Sequence, residues 1–128
     1  MTNEKIYVSD IAKIEFKDDG IFHYVLKPSD KTYDLQEVLN QKLFFDKLTG
    51  GKRYKLLIDT RQTLAIETDE SFENHINNLE LNPNIFALVY NSLPMQISLR
   101  RLFSKNVPNK KYFKDYDEAY KWLKDYEL

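Results

Sequence analysis

The spacing of apolar and polar residues changes along the chain, and each change marks an element. Ala12, Ile14 and Phe16 alternate with Lys13, Glu15 and Lys17, the two-residue period of a half-buried strand. Asp19-Gly20 follows, a pair that accepts the positive φ of a tight hairpin turn. The next run, IFHYVL, is apolar on both faces apart from His23. It predicts a returning antiparallel strand inside the sheet.

Beyond Pro28 the period lengthens. Asp34 with Glu37 makes a capping-box pattern, and Gly50-Gly51 supplies a stop. Between them Leu35, Val38, Leu39, Phe45 and Leu48 form a helical stripe, widened by Leu43 and Phe44. YKLLID is a short apolar run that predicts a buried strand. Phe72, Ile76 and Leu79 then recur at helical spacing, with Asp69 and Glu70 in the first turn and Asn82-Pro83 as the end. NIFALVY predicts another buried strand. Ser92 and Pro94 open a third helix with the stripe Met95, Leu99, Leu102 and Phe103. After Pro108-Asn109 come a short strand, KKYF, and a second capping box, Asp115 and Glu118. The last helix carries Tyr116, Ala119, Tyr120, Leu123 and Tyr126 on one side.

The order β-β-α-β-α-β-α-β-α predicts one α/β domain over residues 1–128. Its mixed five-stranded sheet has an N-terminal antiparallel hairpin, a remainder that is mainly parallel, and about four covering helices. A chain of 128 residues suits one such domain and buries roughly two-thirds of its unfolded surface.

Composition narrows the chemistry. With no cysteine, thiolate metal sites, iron–sulfur clusters and Cys nucleophiles are excluded. His23 and His75 are the only histidines, too few for most zinc or iron sites, and no cofactor is expected. A net charge of −1 argues against a globally basic nucleic-acid binder. MTNEKIYVSD lacks the apolar core of a secretory signal, and no run approaches the ~20 apolar residues of a membrane span. A cytoplasmic protein is expected.

KLLIDTR delivers Asp59, Thr60 and Arg61 to the carboxyl end of a strand, where ligands of parallel α/β sheets collect. Asp18, Asp19, Asp59, Ser92 and Lys110 follow the chain order of the acids, hydroxyl and lysine of response-regulator receiver domains. The placement is wrong for that: Asp18-Asp19 enter a hairpin where a receiver enters a helix, and Lys110 opens the last strand instead of following it. Asp18-Asp19 are expected to be turn residues, and Asp59 a residue that holds its loop.

The opening hairpin, the helix ending in Gly-Gly, YKLLIDTR, TLAIETDESF and the closing KKYFKDYDEAYKWL together resemble STAS-like domains, over about residues 11–126. These are the fold of bacterial anti-sigma-factor antagonists and of small bacterial proteins distantly like CRAL-TRIO lipid carriers. The resemblance implies a non-catalytic, regulatory module that binds a protein partner or a second copy of itself. It also implies a phosphoacceptor hydroxyl near the start of the second helix, here Thr68 or Ser71. Asp69 and Glu70 beside them would repel a phosphoryl group, and Thr68 as a plain helix cap is the alternative.

From Leu93 to Lys114 every charged residue is basic, whereas residues 67–80 carry five acids and no lysine or arginine. Arg100, Arg101 and Lys105 therefore mark a candidate interaction surface. A small-molecule or lipid carrier is the other reading, suggested by the surplus apolar residues Leu43, Phe44, Phe103 and Trp122. His23 is expected to be a hydrogen-bonded core residue, and Trp122 to lie at the core's edge.

Overall fold

The computed structural model describes residues 5–63, 66, 68–78, 84–103 and 109–127. Its strands are β1 (Ile6–Val8), β2 (Ala12–Phe16), β3 (Ile21–Leu26), β4 (Lys55–Asp59), β5 (Ile85–Val89) and β6 (Lys110–Phe113). Its helices are α1 (Leu35–Thr49), α2 (Glu70–Asn78), α3 (Leu93–Phe103) and α4 (Tyr116–Asp125). The sheet has six strands in the order β1-β2-β3-β4-β5-β6, one more than expected. The extra strand, β1, pairs antiparallel with β2 at the edge. Its three residues are too short to show a period.

The hairpin forms as the pattern predicts. Gly20 takes φ +79°, and β2 returns antiparallel into β3, with Ile14 opposite Tyr24. From β3 onward all pairings are parallel, so every later strand needs a crossover. Three successive crossovers step in one direction, and a common hand puts α1, α2 and α3 on one face.

Alternation along each strand then sorts the core. Phe22, Tyr24, Leu56, Ile58, Phe86 and Leu88 face α1 and α3 with Phe45, Met95 and Leu99. Ile21, Leu57, Ile85, Ala87 and Val89 face the other way and are covered by α4 through Ala119 and Leu123. Val38, Phe72, Ile76 and Leu102 join the three helices of the first face. Trp122 sits half-buried at the edge of the second face, against Phe113 and Tyr126.

Side-chain caps set the helix ends. Asp34 accepts from the Glu37 N–H at 3.0 Å, and Gly50 closes α1 in the left-handed conformation at φ 65°. Asp115 accepts from the Asp117 and Glu118 N–H groups, and Ser92 Oγ from the Met95 N–H. Each such cap is worth about 1 kcal/mol. In α2 the cap is Asp69, which accepts from the Phe72 N–H at 2.8 Å. Thr68 is therefore not the capping residue. The predicted end at Asn82-Pro83, with Leu79, lies outside the described residues.

The apolar stripe of α1 is narrower than its composition. Leu43 is 70% exposed and Leu39 is also exposed, while Gln41 is buried in the stripe's centre. No helix among the described residues is long and apolar enough to cross a membrane.

Candidate functional site

Two polar systems flank the sheet, one under α4 and one on the α1–α3 face. Under α4, Asp59 ends β4 almost fully buried. Its Oδ1 accepts from the Arg61 N–H at 3.0 Å, and both of its oxygens accept from the Arg61 guanidinium at 2.9 Å. Asp59 is thus a turn-former with its own counter-ion. Thr60 ties that turn to β5, donating its N–H and its Oγ1 hydroxyl to the Val89 carbonyl. The Arg61 guanidinium lies 4.9 Å above the Tyr116 ring.

Tyr116 leads to His23. Asp19 Oδ2 lies 3.0 Å from His23 Nε2, and the Tyr116 hydroxyl lies 3.0 Å from Nδ1. A carboxylate only accepts, so the neutral ring carries its proton on Nε2 and takes the Tyr116 O–H on Nδ1. Asp19 also accepts the Tyr120 O–H at 2.9 Å and the Ile21 N–H at 2.9 Å. Burial pushes the Asp19 carboxyl up, but the Ile21 N–H, His23 and Tyr120 together hold it below its ordinary value. Burial, then the nearby Asp59 carboxylate, pushes the Tyr116 hydroxyl up. Asp19 is more than the turn residue that the sequence suggested, since it fastens α4 to the hairpin.

The remaining expected site residues are scattered. Thr68 bridges to Tyr33 in the backbone and donates its hydroxyl to Glu73 Oε2 at 3.2 Å. Ser71 is exposed on the first turn of α2, and no hydrogen bond among the described residues joins either hydroxyl to Asp59. Arg101 pairs with Glu73 at 2.8 Å, and Arg100 lies 4.4 Å over the Tyr112 ring. The basic and acidic helices compensate each other at this point. Lys105 lies outside the described residues. Two buried polar atoms, His75 Nε2 and the Tyr112 hydroxyl, have no partner among the described residues.

A concave feature with an apolar lining lies on the other face. A cavity of about 280 Å³ runs between α1, α2 and α3 and strands β3 to β5. Leu26, Val38, Phe45, Leu56, Ile58, Phe72, Ile76, Phe86, Leu99 and Leu102 give it an apolar wall, joined by Phe103. Of the surplus apolar residues singled out from the sequence, Phe103 alone lines it. Leu43 projects into solvent, and Trp122 belongs to the opposite face.

The cavity's few polar groups are ordered. Tyr33 donates to Gln41 Oε1, and Gln41 Nε2 donates to Glu37 Oε2 at 2.8 Å. The Tyr24 and Tyr33 hydroxyls also bond each other. Tyr33 has one proton and spends it on Gln41, so Tyr24 is the donor in that pair. The chain runs from the cavity wall outward to Glu37, which also accepts from Tyr7 and Ser9 at 2.9 Å each. Glu37 thus serves this chain and not the back-bond of a full capping box. Burial pushes the Tyr24, Tyr33 and Tyr54 hydroxyls well up, which keeps them protonated at neutral pH.

The sequence pattern does not mark Tyr24 or Tyr33 as site residues. A signal existed in Gln41, a polar residue at i+3 from Val38 and i−4 from Phe45 on the buried stripe. No protein-family model matches this chain, and no curated protein matches it significantly.

Proposed function

We propose that this protein is a non-catalytic binding module whose cavity between α1–α3 and the sheet takes a small, mostly apolar molecule. The observation that carries the reading is the cavity itself. About 280 Å³ of space with an apolar wall and a few convergent polar groups is close to the lower end of small-molecule sites, roughly 300 Å³. Its size suits a small ligand. The titratable groups favour binding over catalysis. The tyrosines of the wall are held protonated, and under α4 Asp19 is engaged with His23 and Asp59 with Arg61. Native mass spectrometry after incubation with a lipid extract tests the reading. A saturable one-to-one adduct is expected, and bare protein alone at every ligand concentration contradicts it.

A second reading is a STAS-like regulatory module that binds a protein or a second copy of itself. It draws support from the order of elements, with α4 alone on its face, and from Leu93 and Ile97, one helical turn apart and 67% and 59% exposed. The pairing of Arg101 with Glu73 shifts its working surface from the arginines to this apolar pair. Light scattering on Leu93→Glu with Ile97→Glu tests it: loss of an assembly that the parent forms supports it, and identical assembly contradicts it. A phosphorylation switch at Thr68 or Ser71 fits less well, because Asp69, Glu70 and Glu73 surround those hydroxyls with negative charge.

A further inference from the structure

We infer that the ligand of the cavity is a single-chain amphiphile with a carboxylate head, bound with its chain inside and its head at Asn84, Lys52 and Arg53. This rests on the cavity being a ligand site. Most of the described lining is buried, and the exposed residues among it, Lys42, Asp46, Gly51, Lys52 and Arg53, share one location. They lie on the last two turns of α1 and in the loop that leads to β4, so the mouth is there. A molecule with one polar end would leave that end at this mouth.

Three observations fix the sign of the head. Asn84 lines the cavity and is only 8% exposed. Its Oδ1 accepts from the Tyr54 N–H at 3.1 Å, which orients the amide and assigns the other end to the NH₂ group. That NH₂ has no hydrogen-bond acceptor among the described residues, which leaves its donors open to an acceptor at the mouth. Lys52 and Arg53 carry no ion pair among the described residues, while Lys42 is already paired with Asp46. The carboxyl end of α1 faces the same region and opposes an anion. Among the described lining residues, three cations against the carboxylate of Asp46 outweigh it. Arginine's planar fork matches a carboxylate in two-point contact, which favours that head over a neutral alcohol.

Isothermal titration calorimetry at low ionic strength tests this with decanoate, decanol and acetate. Decanoate should bind about tenfold or more tightly than decanol, the effect of one charge-assisted contact, and acetate should give no saturable heat. Asn84→Asp keeps the acceptor for Tyr54 but removes the donors, and Lys52→Glu with Arg53→Glu reverses the mouth's charge on exposed side chains. Each variant should lower decanoate affinity to about that of decanol. Equal affinities for decanoate and decanol in the parent, or full decanoate affinity in both variants, overturn the inference and leave the cavity reading intact. Failure of both long-chain probes to bind overturns the cavity reading together with it.

Discussion

Tyr33 gives its only hydroxyl proton to Gln41 Oε1, and that bond sets the direction of every donor between the cavity wall and Glu37. Removing the Tyr33 hydroxyl strands the Tyr24 O–H and the Gln41 carbonyl together. Tyr33→Phe should therefore destabilise the fold by about 1–3 kcal/mol, more than loss of one exposed hydrogen bond. Urea unfolding of the variant checks this, and a change within about 0.5 kcal/mol, the range of ordinary surface substitutions, contradicts it.

At the outer end of the chain, burial first and then the Glu37 carboxylate push the Tyr7 hydroxyl up to about 12. A group whose folded value is raised stabilises the fold fully below its unfolded value, ordinarily about 10, and loses that contribution as pH rises toward the folded value. Stability should fall between about pH 10 and about pH 12, and Tyr7→Phe should flatten that part of the profile. Thermal melts across the alkaline range measure it.

Asp19 works in the opposite sense. Its folded value lies below the ordinary one, so its contribution is present above the unfolded value of about 3.9 and is lost as pH falls below it. Acid unfolding below about pH 4 should be weaker in Asp19→Asn relative to that variant's own neutral stability. Amide exchange in α4 should rise in the variant, because Tyr120 loses the carboxylate that tethers it to the hairpin.

Arg101 and Glu73 join α3 to α2 by a half-exposed ion pair. A double-mutant cycle with Arg101→Ala and Glu73→Ala should give a coupling of about 0.2–1 kcal/mol, decreasing in high salt. A coupling of zero at low salt would separate the two helices electrostatically.

Local pattern was enough to read most of the fold and little of the site. The hairpin followed from Asp19-Gly20 between two strand periods, and α1 from the cap at Asp34 and the stop at Gly50. What escaped depends on distant parts of the chain. β1 is short and gains its identity from pairing with β2. Asp19 looks like a turn residue until Tyr120, 101 positions away, reaches its carboxylate. Leu43 belongs to the stripe by type and faces solvent, while Gln41 is polar and buried because Tyr33 and Glu37 satisfy its amide. The cavity is a space between helices, set by how three elements pack, and no single segment encodes it.

The most direct test of the central claim is a methyl-detected NMR titration of the full chain with decanol. A ligand in the cavity should give saturable shifts at the Leu56, Ile58, Leu99 and Leu102 methyls that line it, with the exposed methyls of Leu43, Leu93 and Ile97 unmoved. Shifts confined to those exposed residues, or no saturable shifts in the cavity wall, would contradict a binding site between α1–α3 and the sheet.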